Sequence, residues 1–174
     1  MKIKIAWVGK TKEPAIQTLT DEYLKRISRY VPVEGLALRD EGALLDLCGR
    51  AAPAKGGKSS FGRSNSGKSN LGKSNPGKTS GGKSTLVLMD LRGKQFSSEE
   101  FARFLGEYQD RNPLPLVFAV GPADGFSEAA RGAAQHTISL GKMTLAHELA
   151  RVVLLEQVYR AFTILKGHPY HWGH

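Results

Sequence analysis

Leu116-Val-Phe-Ala-Val-Gly121 is a short apolar run that ends on glycine, and Pro122-Ala-Asp-Gly125 turns the chain directly after it. An apolar run of this length, bounded by turn signals, reads as a strand buried on both faces, the pattern of a parallel sheet. Such a strand delivers backbone N–H groups to a ligand at its carboxyl end, and glycine there allows close approach. A second feature of this kind lies downstream. Ile138-Ser-Leu-Gly-Lys-Met-Thr-Leu-Ala-His147 leaves a short strand and opens into a long helix. Two backbone-rich loops beside each other describe a site for a small cofactor, not a nucleophile triad.

Outward from these loops the chain alternates strands and helices. Residues 2–8 alternate, with Ile3, Ile5 and Trp7 on one face, and read as a strand stopped by Gly9. Residues 13–30 carry Ile16, Leu19, Tyr23 and Ile27 at helical spacing. Residues 31–38 form a second strand, broken by Gly35, and 42–47 a short helix. Residues 85–91 are an unbroken apolar run, again a doubly buried strand. Ser97 and Glu100 form a capping box that opens a helix to about Tyr108. Residues 114–120 give the next strand, 128–135 a helix, 137–140 a short strand, and 144–166 the last helix, stopped by Gly167. This order predicts an α/β domain with a mostly parallel sheet flanked by helices.

A chain of 174 residues is most simply one domain. It has no apolar run of about 18 residues, so no membrane span is expected. The N-terminus lacks the apolar region of a signal peptide, and the only cysteine is Cys48. Both point to the reducing cytoplasm. Cys48 has no base paired with it and reads as a core or loop thiol. Formal charge is +9, but residues 47–89 hold eight cations and no acid. Basicity of this kind suits a nucleic-acid partner, though it is concentrated in one arm.

That arm interrupts the domain at about residues 51–84. Residues 57–84 repeat G-K-S at a period of five, so G-x-x-x-x-G-K-[ST] recurs from Gly62, Gly67, Gly72 and Gly77. The pattern is the phosphate-cradling loop signature. Such a loop needs a buried strand before it and a helix after it. Here no strand precedes Gly62, and Ser84 leads into an apolar strand. Glycine, serine, asparagine and lysine without apolar anchors do not offset their ordering entropy, so a flexible basic linker is expected.

The segments "VGPADGF", "SLGKMTLAHELARVVLLEQVYRAF" and "GHPYH", with the opening "MKIKIAWVGKTKEPAIQTLTDEYLKRISRY", resemble the RlmH family of the SPOUT methyltransferases. The resemblance covers roughly residues 1–46 and 85–171. It implies a SPOUT-like sheet with a C-terminal trefoil knot, a feature that general topology rules would not suggest. It implies transfer of a methyl group from S-adenosyl-L-methionine to N3 of a pseudouridine in 23S ribosomal RNA, by a homodimer acting on the large subunit or ribosome. The cofactor positions it carries over are Met89, Gly121, Leu140, Gly141, Lys142, Met143, Thr144 and Leu145. Met89, Leu140 and Leu145 then offer apolar walls while backbone groups read the adenine edge. Where the family shows two adjacent glycines, this chain has Gly121-Pro122, and proline removes an N–H.

Chemistry outside the loops falls on two segments. His147 and Arg151 are four apart on one face of the last helix, as a structural pair, or as contacts to RNA phosphate or packing in a dimer near the site. Glu156 and Arg160 share that spacing and read as a structural pair. In the tail, His171 is the candidate general base and Tyr170 a stacking or hydrogen-bonding group over a flipped base. His168, His171 and His174 are too irregularly placed to predict a metal site. Two other classes stay open on the residues alone: a non-catalytic RNA- or ribosome-binding module on this fold, and a P-loop nucleotide-binding protein.

Overall fold

The computed structural model describes residues 1–50 and 83–171. Most of the glycine–lysine arm and residues 172–174, with His174, lie outside the described residues. Five strands make one sheet: β1 (Ile3–Val8), β2 (Val33–Leu38), β3 (Thr85–Gln95), β4 (Leu116–Val120) and β5 (His136–Ser139). Their order is β2-β1-β4-β3-β5, and every pairing is parallel. The helices are α1 (Pro14–Ile27), α2 (Glu41–Leu47), α3 (Ser98–Arg111), α4 (Glu128–Ala133) and α5 (His147–Leu165). A short 3-10 turn, Pro169–His171, follows α5.

Side-chain alternation divides the core in two. Ile3, Ile5 and Trp7 of β1, with Val87 and Phe118, pack against α1, α3 and α5. Ala6, Leu86, Leu88, Val117 and Ala119 point the other way, onto Leu44, Leu45 and Cys48 around α2 and onto Phe126 and Ala130 around α4. Each fully buried leucine or phenylalanine removes enough apolar surface to contribute about 1.5–3 kcal/mol. Burial raises the pKa of the Cys48 thiol, consistent with a packing role. The Ser97–Glu100 capping box is present, each residue's side chain accepting from the other's backbone N–H. Gly35 does not break β2. Its missing side chain makes room for Leu24 and Trp7, which would lie 2.8 and 3.1 Å from a Cβ.

One strand differs in kind from its sequence pattern. The apolar run stops at Leu91, yet β3 continues to Gln95. Met89 and Lys94 both register against Ile138, so Asp90 to Gly93 are extruded from the ladder as a bulge. The second half reads as polar because Leu91, Arg92, Lys94 and Gln95 are exposed. Gly93 is dictated by packing: a Cβ there would sit 2.5–2.7 Å from the Ile138 backbone.

Gly93→Ala therefore pushes β5 off β3. A loss of about 3 kcal/mol in urea unfolding is expected, the upper range for overpacking. A parent-like midpoint would show that β5 does not depend on this contact.

Candidate functional site

The chain leaves β3 through α3 toward β4, and leaves β4 through α4 back across β3 to β5. A crevice opens at the carboxyl ends of strands whose connections diverge in this way. Here it is a cavity of about 340 Å³. Three loops build it: the β3 bulge, the Gly121–Phe126 turn after β4, and the Leu140–Ala146 segment between β5 and α5. Gly125 closes the middle turn in a left-handed conformation (φ 77°), its N–H donating to the Pro122 carbonyl at 2.9 Å. Gly121 fits because the Phe126 ring lies 3.0 Å from where its Cβ would stand. Gly141 has φ 142°, and nothing lies within 4 Å of its Cβ position, so its open side is free space. Ser139 holds this loop from below: its Oγ donates to the Gly141 carbonyl at 2.8 Å and accepts from the Gly141 N–H at 3.2 Å.

The bulge gives the cavity a charged wall. Arg131 Nε donates to Asp90 Oδ2 at 3.0 Å, and the Arg92 amide donates to Asp90 Oδ1 at 3.0 Å. Glu128 accepts from both Arg131 and Arg92. Burial alone would raise the Asp90 carboxyl, but the Arg92 amide and the Arg131 guanidinium outweigh it and hold the group below its ordinary value. Met89, Leu140 and Leu145 add apolar surface to the lining.

The cavity brings together Met89, Gly121, Leu140, Gly141, Met143, Thr144 and Leu145, with His147 at the start of α5. Lys142 is exposed and does not line it. Arg151 departs from the RNA-contact expectation. It is 1 % exposed, with its guanidinium 4.2 Å from the Trp7 ring centre. The Trp7 face offers a cation–π partner that solvent exposure would forfeit. Burial lowers the guanidinium pKa, while Glu148 and Asp21 oppose the shift.

Among the described residues, the tail does not line the cavity of its own chain. Tyr170 packs edge-on to Tyr159 at 4.8 Å, lies under Arg160, and donates to Glu156 Oε1 at 3.3 Å. Arg160 and Glu156 form the expected pair at 2.7 Å. His168 Nδ1 lies 2.7 Å from the Tyr30 hydroxyl. Glu156, Tyr159 and Arg160 lie about 14–20 Å along α5 from His147. Burial, Tyr23 and Glu156 push the Tyr170 phenol up to about 12, so it keeps its proton at neutral pH and acts as a donor or stacking group. The His171 backbone ends the short turn, and its side chain lies outside what is described. Lys83 and Ser84, the described end of the last P-loop match, lead into β3 and not into a helix.

Asp90, Arg131, Phe126 and Ser139 were missed in the sequence. Asp90 is the one acid inside the apolar run 85–91 and carried a signal. Arg131 is an ordinary cation on a short helix and carried none.

A family model described as predicted SPOUT methyltransferase matches residues 1–171. A protein of Koribacter versatilis named ribosomal RNA large subunit methyltransferase H is 51% identical over 177 residues, covering all of both chains. One of the same name from Geobacter sp. strain M21 is 43% identical, covering 98% of this chain and 99% of its own. A solved structure, a probable methylase family protein from Haemophilus influenzae Rd KW20, superposes with a TM-score of 0.54 over 97% of this chain and 70% of its own. At 8% identity that likeness concerns the fold alone.

Asp90→Asn tests the wall. A carboxyl depressed on folding adds stability that is present above its ordinary pKa of 3.8 and lost as pH falls through the lower folded value. The variant should be less stable by about 1–2 kcal/mol above about pH 5, with the gap shrinking below pH 3.8. Denaturant unfolding across pH reads this directly. A gap that widens in acid would contradict the pairing.

Proposed function

The chain belongs to the SPOUT methyltransferase family, and from that premise we propose that it methylates large-subunit ribosomal RNA at N3 of a pseudouridine, using S-adenosyl-L-methionine, as a cytoplasmic homodimer. One observation carries the reading. Seven residues drawn from three separate segments, Met89, Gly121 and five of Leu140–Leu145, meet around a single cavity at the carboxyl ends of β3 and β4. The named relatives supply the RNA class.

The cavity suits this donor. Its volume of about 340 Å³ falls in the range of small-molecule sites. The apolar surfaces of Met89, Leu140 and Leu145 match a flat adenine, and the open space beside Gly141 leaves a path along the backbone. Asp90, Arg92 and Arg131 offer hydrogen-bonding groups for hydroxyl, amino and carboxylate groups at the polar wall. When bound, S-adenosyl-L-methionine supplies an electrophilic methyl group on sulfur. The chain's own contribution is chiefly positional: the three loops fix one reactant so that the acceptor nitrogen lies in line with the methyl, and orientation of this kind replaces a costly bimolecular encounter. The acceptor N–H bond must release its proton as the N–methyl bond forms. In this reading that proton passes to water or to the His171 imidazole, with Tyr170 orienting the base.

The separation of tail and cavity within one chain supports the homodimer. Leu91, Met143, Leu145 and Leu149 are exposed large apolar side chains, and all but Leu149 line the cavity. Leu149 lies next to the lining residue Ala150. An apolar rim of this kind is suited to burial by another surface. A second copy covering it would bring its own tail toward the donor, making each site composite. Leu149→Glu should then shift the sedimentation profile from dimer to monomer and abolish methyl transfer, with thermal stability of the chain retained. A monomeric parent would remove this reading.

Transfer of labelled methyl from S-adenosyl-L-methionine to large ribosomal subunits, followed by nucleoside mass mapping, tests the activity. One N3-methylated pseudouridine per subunit is expected. Gly141→Val, whose side chain enters the open space, should weaken donor binding in calorimetry by about tenfold or more, or about 1.4 kcal/mol. Label on another nucleotide would contradict the site, and parent-like binding by the variant would contradict the cavity.

A further inference from the structure

A second concavity, about 500 Å³, lies at the free edge of the sheet between β5 and α3. Its walls include Lys94, Phe96, Arg103, Phe104 and His136. Phe104 meets His136 edge-on at 5.2 Å and is braced from behind by Phe96 and Phe101 at 5.9 and 6.3 Å. Lys94 Nζ stands 4.7 Å from the Phe96 ring centre. Among the described residues, neither Lys94 nor Arg103 has a carboxylate within ion-pair distance. The two glutamates of the same wall are engaged elsewhere. Glu100 accepts from the Ser97 amide, and Glu107 faces Arg111 at 3.9 Å.

This groove is not isolated from the donor cavity. A smaller gap of about 140 Å³ shares Met89 and Leu140 with the cavity and Phe96 and Ile138 with the groove. The three lie along β5, a step of about 13 Å from His136 to Leu140. As the edge strand, β5 has no ladder partner on its outer side among the described residues, so its backbone groups there are open to a ligand.

We infer that this groove docks a single-stranded segment of the substrate RNA, a nucleotide near the base that enters the donor cavity. Rings braced from behind receive a base face, unpaired cations hold the phosphates, and the β5 edge reads the base edge. These are the elements by which single-stranded RNA is held. A peptide adding to β5 would find only four residues to pair with, and no use for two unpaired cations. The inference rests on the RNA-methylation reading above.

Lys94→Gln/Arg103→Gln tests it, since both side chains are exposed and their loss spares the core. Donor affinity and melting temperature should match the parent. Affinity for large-subunit RNA should fall about tenfold, and the slope of log affinity against log salt should flatten by roughly 1 to 1.5. Phe104→Leu, which keeps apolar support but removes the ring, should weaken RNA binding about fivefold or more. Photo-crosslinking of thiouridine-substituted RNA should label peptides holding Phe104 or His136. Parent-like RNA affinity and salt slope in the double variant would overturn the groove while leaving methylation by the parent intact. RNA crosslinks that map only outside this groove would also overturn it. A parent that fails to methylate the subunit would remove both readings.

Discussion

The close approach of β5 to β3 over Gly93 is the constraint on which the site depends. Ile138 is registered twice against β3, before and after the bulge, and it can be so only because Gly93 has no side chain to hold it away. Of the residues between the two registers, Asp90, Leu91 and Arg92 line the cavity, while Gly93 lies against Ile138. Asp90 is thereby carried off the sheet to meet Arg131, and Ser139 is left where its hydroxyl can grip Gly141. The loop that follows then runs beside the glycine turn of β4. The cavity is less a gap between elements than the consequence of one strand being longer than its partner can follow.

The two halves of α5 do different work. Its first turn borders the cavity through His147 and Ala150, and Glu148 ties it to the loop after β1 by accepting from the Lys12 amide at 2.8 Å. Arg151, one turn on, anchors the helix against Trp7 from inside. The second half is a platform for the tail, where Tyr159, Arg160 and Glu156 hold Tyr170, and Tyr30 stacks on Phe162 at 5.9 Å while contacting His168. Methyltransfer chemistry needs donor and acceptor groups in one place. In the proposed homodimer, a helix with the cavity at one end and the aromatic tail at the other would bring the two together.

Much of this was legible. Apolar runs, alternation, helical spacing and a capping box located the five strands and the five α-helices among the described residues, because burial leaves an apolar or alternating signature and amphipathic packing a periodic one. The resemblance of "VGPADGF" and of 138–147 pointed to loops that meet at the cavity, whereas 168–170 pack on the far half of α5. What could not be read was set by distant contacts. The polar stretch Arg92–Gln95 reads as loop, and its pairing with β5 depends on residues more than forty positions away. Arg151 reads as a partner of His147 or as a contact to RNA or to a second copy, since nothing local reveals that Trp7 will lie across it. Gly35 reads as a break, although it is the space that Trp7 and Leu24 fill. The tail carries no periodicity at all, so its docking onto α5 was open.

The central claim is that the three loops at the carboxyl ends of β3, β4 and β5 form the methyl donor's site. Amide chemical shifts of the full chain, followed during titration with S-adenosyl-L-methionine and separately with ATP, address it most directly. The account predicts that the sulfonium donor shifts Gly121, the bulge Asp90–Gly93 and Leu140–Leu145 together with one saturation curve, and that ATP leaves them in place. Shifts confined to the glycine–lysine arm, or a response to ATP in place of the donor, would contradict it.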